Sequence, residues 1–395
     1  MKDPAYWLLP EGIEETLPPA AARLENVRRE LLDLYRVWGY ELVIPPLIEY
    51  LESLLTGAGR ELDLETFKLT DQLNGRLMGV RADITPQVAR IDAHRLRREG
   101  PTRLCYMARV LRTRPQGQGG TRSPLQVGAE LYGHAGPDSD IEIIRLMLAT
   151  LQVCGVGQIH LDLGHIDIFR CLIEAAGMDA DAEAELFELL QRKAATEMAE
   201  RLRAGGLNGL HRQRFLDLVG LNGGLEVLAE ARSRYAGVDA RIDAALDYLD
   251  QVADVIAREA PQVELCFDLG ELRGYHYHSG LVYAAYVPGR GQELARGGRY
   301  DGIGKAFGRA RPATGFSADL ESLLEVGARE EPSQTGRIYA PAQGDEALSR
   351  RIRQLRDEGR IVVRALSGQE DDASAMGCDQ MLVRHGDQWL LMEAY

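Results

Sequence analysis

"CYMARVLRTRPQGQGGTRSPLQVGAELYG", residues 105–133, decides the fold. An apolar run carrying Arg109 and Arg112 precedes a Gly-rich stretch, and a second apolar run follows with Gln126 and Glu130. The two runs read as paired strands over 103–112 and 123–133, with GQGG in the loop between them. No helix follows that loop to lend its dipole to a phosphate, and the chain has neither a P-loop nor a G-x-G-x-x-G after a strand. Taken alone, the arrangement could hold a phosphate, a carboxylate or a nucleic-acid backbone.

Working outward, residues 19–37 carry Leu24, Val27, Leu31, Leu32 and Tyr35 at three- and four-residue steps, the period of an amphipathic helix. "GYELVIPPLIEY" follows as a short strand; Pro45 and Pro46 remove ladder donors, so it lies at a sheet edge or stops there. "FKLTDQLNGRLMGVR" predicts a hairpin turning at Asn74-Gly75. A helix starts near Thr85-Pro86. Further on come a helix over 139–153, a strand at 158–163 and a nearly all-helical region from about 168 to 260. Its stripe Ile242, Leu246, Leu249, Val252 and Ile256 reads as plain core. Strands return at 264–269, 281–287 and 293–298, before a helix over about 317–327. Residues 328–336 have linker composition, and 337–395 form a small α/β unit. Helices before and between hairpins indicate an antiparallel α+β domain rather than a doubly wound parallel sheet.

Composition narrows the function classes. The 395 residues are 45% hydrophobic, ample for a sizeable core. No apolar run approaches the roughly 20 residues of a membrane span, and the acidic start MKDPAYWLLPEGIEE does not read as a secretory signal. We expect a cytoplasmic chain without membrane association. A formal net charge of −14 weighs against polyanion partners, although basic residues gather around 90–122. Five scattered cysteines suggest neither a disulfide framework nor a zinc site, so no metal and no cofactor are expected.

Four segments together are more specific than any one: "GYELVIPPLIE", "VRADITPQVAR", the opening stretch, and the pair "ELRGYHYHSG" with "ARGGRYDGI". In this order and spacing, residues 5–327 resemble the catalytic domain of class II histidyl-tRNA synthetases. The resemblance implies a six-stranded antiparallel sheet flanked by helices, with a helical insertion at about 168–260. It also implies a site for free histidine. Asp83, Thr85 and Gln126 match the family's acceptors for the α-ammonium, and Glu130 matches the acceptor for the imidazole N–H. Arg109 and Arg273 match the arginines facing the α-carboxylate, and Tyr277 is the candidate contact in Tyr275-His276-Tyr277-His278, where the family reads Leu-Asp-Tyr-Tyr and the loss of the second tyrosine changes a wall of the imidazole pocket. Arg299 has a plainer reading, as a partner of Asp301 or another nearby acid, and alternation places His276 and His278 on one strand face without implying a metal pair.

The departures from the family decide the expected activity. Where the synthetases carry Phe-Arg-x-Glu, this chain reads Ala108-Arg109-Val110-Leu111; where they end Gly-Leu-Glu-Arg, it reads Asp319-Leu320-Glu321-Ser322. A serine cannot stack on adenine or neutralise a γ-phosphate. Losing several kcal/mol of charge stabilisation would depress adenylation by orders of magnitude. A histidine pocket without adenylation residues is similar to the synthetase-like regulatory subunits of ATP phosphoribosyltransferase. That resemblance implies a chain without catalytic residues. It would pair with a short-form catalytic subunit, form a homodimer within a larger hetero-oligomer, and transmit inhibition by histidine. Residues 268–280 and the loop Gln116–Arg122 are the segments expected to respond to occupancy. An active synthetase, or a histidine-sensing module or ligase acting on another protein, is the alternative. The short, mixed-charge terminal unit argues against tRNA reading.

Overall fold

The computed structural model describes residues 7–57, 60–115, 120–272, 274–275, 277–329, 336–342, 344–369 and 372–394. The chain divides into two compact units, residues 1–329 and 330–395.

In the first unit a nine-stranded sheet is built from β1 (Glu41–Leu42), β5 (Thr102–Arg109), β6 (Leu125–Tyr132), β7 (His160–His165), β8 (Asn222–Gly223), β9 (Glu264–Asp268), β10 (Leu281–Tyr286), β11 (Ala295–Arg299) and β12 (Ala313–Asp319). Their order is β1-β5-β6-β12-β11-β10-β7-β9-β8. The six consecutive strands from β5 to β7 are all antiparallel to their neighbours. The sheet is wider than six strands because β1 adds in parallel to β5 at one edge and β9 in parallel to β7 near the other, with β8 beyond it. β1 stops before Pro45; the chain then crosses to a separate three-stranded sheet of β2 (Ile48–Tyr50), β3 (Phe67–Thr70) and β4 (Leu77–Val80), where β3 and β4 form the hairpin around Asn74-Gly75.

Strand alternation gives the large sheet two different faces. Leu125, Val127, Ala129 and Leu131 on β6 and Leu161 and Leu163 on β7 join the main hydrophobic core with helices Ala20–Val37, Pro137–Val153 and Ala240–Glu259. Ile242, Leu246, Leu249, Val252 and Ile256 are completely buried there. Each contributes about 1.5–3 kcal/mol by leaving water. The opposite face presents Tyr106, Gln126, Glu130 and Tyr132, and it is this face that is hollowed into a cavity. The helical insertion runs from Ile166 to Glu259, interrupted by β8, and one of its helices, Ala180–Gln191, reaches this face through Ala184, Phe187 and Glu188.

Two sequence expectations change. Residues 317–319 are the end of β12, and the helix there is shorter, Leu320–Val326, capped by the Asp319 carboxylate. The described residues around 274–278 form a turn rather than a strand, with the N–H groups of Tyr277 and His278 donating to Gly274 O; strand alternation therefore says nothing about His278, and His276 lies outside the described residues.

The second unit carries β13 (Ile338–Ala340), β14 (Val362–Arg364), β15 (Gln380–His385) and β16 (Gln388–Glu393), in the order β14-β13-β15-β16, with helix Glu346–Asp357. Ile338, Leu348, Ile352, Leu355 and Leu382 form its own small core.

Candidate functional site

β6 and β12 place Glu130 opposite Gly315, and β5 sets Leu104 on its other side. The pairing with Gly315 is required sterically: a Cβ there would lie 1.5 Å from Glu130 Oε2. The Glu130 carboxyl is fully buried beneath a cavity of about 790 Å³. Tyr106 donates its hydroxyl to Oε1 at 3.2 Å, and Tyr300 donates to Oε2. Thr85 Oγ1 lies 3.2 Å from the Tyr106 hydroxyl, extending the chain of hydroxyls to the first turn of helix Thr85–Arg90. Burial dominates this network and pushes the Glu130 carboxyl up to about 8; the neighbouring Asp83 charge pushes the same way, and the tyrosine and threonine hydroxyls act against both.

Tyr277 stacks on Tyr300 with ring centroids 5.1 Å apart. Its hydroxyl is buried and has no hydrogen-bond partner among the described residues, a donor that a bound molecule can satisfy. His278 lies beside it, with Nδ1 3.2 Å from the Arg299 carbonyl. A carbonyl only accepts, so Nδ1 carries the proton and Nε2 is left as an acceptor. Burial pushes His278 down to about 4, keeping the ring neutral.

Of the residues expected from the sequence, Asp83, Thr85, Glu130 and Tyr277 line this cavity. Gln126 stands behind them: its Nε2 donates to Asp83 Oδ1 at 2.8 Å and its Oε1 accepts the Ile84 N–H at 3.0 Å, which fixes the Asp83–Thr85 turn. Arg109 is elsewhere. It is out of phase with Tyr106 on β5, and it forms a two-pronged pair with Glu321 at 2.7 and 2.8 Å while donating to Ser123 O at 2.6 Å. Arg273 lies outside the described residues, as do residues 116–119 of the Gly-rich loop.

Two cations that the sequence reading did not select do face the cavity, Arg112 and Arg296. Arg112 is buried, donates to Ala82 O at 3.3 Å, and burial lowers its pKa. Arg296 sits on β11 opposite Ser317, on the cavity side of the sheet. The same two arginines line a second cavity of about 520 Å³ that also contains Arg109, Gln126, Asp319 and Glu321. For Arg296 the signal was available, since β-alternation in ELARGG separates it from the core-facing Ala295. Arg112 follows the end of β5 and has no such phase. Arg299 takes the plainer role: it is buried against Asp140 at 3.1 Å and Asp301 at 3.3 Å.

Chemically, the cavity combines a proton-holding carboxyl, an acceptor imidazole nitrogen, an aromatic wall with a free hydroxyl, a carboxylate at Asp83 and two guanidinium groups. It suits a small zwitterion with a polar ring.

Comparison with known proteins agrees with this architecture. Residues 12–323 match the family model described as "Histidyl-tRNA synthetase", and residues 335–392 match "ATP phosphoribosyltransferase subunit HisZ C-terminal domain". A protein of Thioalkalivibrio sulfidiphilus named ATP phosphoribosyltransferase regulatory subunit is 60% identical over 394 residues, covering 100% of both chains. One of the same name from Pseudomonas syringae pv. syringae is 54% identical, with 98% of each chain covered. A solved structure described as an ATP phosphoribosyltransferase regulatory subunit/histidyl-tRNA synthetase from Bacillus halodurans superposes with a TM-score of 0.82 at 27% identity, covering 95% of this chain and 97% of that one.

Proposed function

Because this chain belongs to the family of ATP phosphoribosyltransferase regulatory subunits, built on the histidyl-tRNA synthetase fold, we propose that its cavity binds free histidine and that occupancy inhibits the assembly at the first step of histidine biosynthesis. The chain acts in the cytoplasm on a short-form catalytic subunit, raising its activity when the cavity is empty. It is itself non-catalytic, and forms a homodimer within the larger hetero-oligomer.

The observation that carries the reading is Glu130, a buried carboxyl held between the Tyr106 and Tyr300 hydroxyls at the floor of the cavity. An imidazole N–H offered to that carboxyl adds a donor to those of Tyr106 and Tyr300 and favours its ionised form, and a bond to an ionised acceptor is about twice as strong as one to a neutral group. Arg112 and Arg296 are the cations for the α-carboxylate, with Arg273 as the further candidate from the sequence. Asp83, held by Gln126, accepts from the α-ammonium. Tyr277 closes over the ring with its unpartnered hydroxyl.

Support for the absence of adenylation comes from Asp319 and Ser322, which stand where the family has glycine and arginine. Asp319 caps the following helix and accepts from Ser322 Oγ at 2.7 Å, so an acid and a hydroxyl occupy this place, beside the Arg109–Glu321 pair. Ser322 offers a triphosphate no positive charge. Histidine binding couples to the partner to the extent that one arrangement of the assembly binds it more tightly.

Calorimetric titration of the purified chain with histidine, with ATP as a control, tests the reading. We expect one histidine site, loss of at least about tenfold in affinity in Glu130→Gln, no ATP heat, and no histidine-dependent ATP–pyrophosphate exchange. Unchanged histidine inhibition of an assembly carrying Glu130→Gln sinks the assignment, and rapid exchange sinks the non-catalytic reading.

A further inference from the structure

β7 and β9 run parallel, with Cα partners His160↔Glu264 and Asp162↔Cys266. Register partners point to the same side of a sheet, and so do residues two apart along a strand. All four side chains therefore share one face. His160, Glu264 and Cys266 converge further: one ligand atom from each lies within 4.8 Å of the other two. His160 Nδ1 is 3.2 Å from Glu264 Oε2.

We propose that His160, Glu264 and Cys266 form a binding site for a borderline-soft divalent cation, with Zn²⁺ as the preferred ion. The donor set decides the class of ion. A thiolate and an imidazole favour zinc over magnesium or calcium, which take oxygen ligands. Three protein ligands with Glu264 open to solvent leave the fourth tetrahedral position for water. Both strands are fixed by their ladder, and the three ligand atoms already lie within 4.8 Å of one another.

The surrounding charge favours a cation. Burial raises the Cys266 thiol above its ordinary value, and the nearby carboxylates of Asp162, Glu264 and Glu226 raise it further. A bound divalent ion reverses both influences, because a coordinating thiol gives up its proton. The location gives the ion a mechanical role as well. β7 immediately precedes the helical insertion and β9 immediately follows it, so an ion bridging them pins the two ends of a long excursion of the chain. Asp162 also lines the larger cavity, which puts the site on the strand that forms part of the cavity wall.

The test uses the full-length chain, stripped with EDTA, dialysed, and titrated with Co²⁺ or Zn²⁺ alone in the absence of histidine, itself a chelator. We expect one equivalent of Co²⁺ to produce thiolate-to-cobalt charge-transfer absorption that Zn²⁺ displaces and Mg²⁺ does not. Cys266→Ser abolishes the band, and His160→Gln weakens Zn²⁺ binding by at least about 10- to 100-fold, the loss known even for outer-shell partners of a metal. Glu264→Gln, at an exposed position, provides a third variant with little risk to the fold, and melting curves in EDTA confirm that all three remain folded. A missing cobalt band, a band that survives Cys266→Ser, or a Zn²⁺ isotherm unchanged in all three variants overturns the site and leaves a hydrogen-bonded His160–Glu264 pair with a bystander thiol.

Discussion

Replacing Glu130 with glutamine should remove a pH dependence built into the empty protein. In the unfolded chain the carboxyl titrates near 4.5, and in the folded protein burial holds it up to about 8. The folded-state value is the higher one, so the group's contribution to stability is fully present below about 4.5 and is lost as pH rises towards 8. Within that window each pH unit is worth about 1.4 kcal/mol. From pH 5 to pH 7.5 the wild type should therefore lose about 3 kcal/mol relative to Glu130→Gln. At pH 5 the two should lie within about 1 kcal/mol, since an amide is close in shape to the protonated acid and a tyrosine hydroxyl can accept as well as donate. Urea unfolding at a series of pH values, followed by near-ultraviolet circular dichroism of the buried tyrosines, measures the difference. Saturating histidine should flatten the wild-type slope by stabilising the ionised carboxylate. Parallel pH profiles for wild type and variant between pH 5 and 8 would falsify the argument, because they would mean that the carboxyl ionises as readily inside the protein as outside.

Other perturbations follow from the same geometry. Gly315→Ala forces a methyl group onto the Glu130 carboxylate and within 2.8 Å of Ala129 O; overpacking of this kind costs about 1–3 kcal/mol, and we expect histidine affinity to fall with stability, read by calorimetry and urea unfolding. Burial holds His278 and His165 down to about 4, so both contribute stability that is present above about 6.5 and lost as pH falls towards 4. His278→Gln should reduce this acid-side slope by about 1.4 kcal/mol per pH unit, with the His165 share remaining. Glu321→Ala strands Arg109, and because that pair is partly exposed we expect a loss of only about 1–2 kcal/mol. A double-mutant cycle with Arg109→Ala should return a coupling of about 1 kcal/mol, and a coupling near zero would show the pair to be incidental.

How much of this was legible in the sequence depended on whether periodicity carried the information. The stripe Ile242, Leu246, Leu249, Val252 and Ile256 is buried because its spacing repeats over about four turns of one helix, and the Asn74-Gly75 hairpin formed because its turn chemistry is local. The width of the sheet was not local. β1 and β8 have two residues each, and β9 joins β7 across the whole helical insertion. No short-range pattern specifies a parallel pairing over so long a connection.

The candidate site shows the same division, and Arg109 locates it. A motif match selects a position in the chain, whereas the face a side chain occupies is set by the period of two along its strand. Leu104 pairs with Glu130, so Leu104, Tyr106 and Ala108 share the cavity face of β5, and Arg109 is one step out of phase. Glu321, which keeps the acid of the family's Gly-Leu-Glu-Arg, is the partner that holds Arg109 there. Arg109 and Glu321 satisfy each other's charge, while the two positions that depart from the family pattern, Asp319 and Ser322, hydrogen-bond to one another beside them. Glu130 needed no such correction, because its strand is buried on both faces and only its pairing with a glycine leaves the carboxylate room. The convergence of His160, Glu264 and Cys266 lies at the far end of this scale, since residues about a hundred positions apart become neighbours only once β9 has paired with β7.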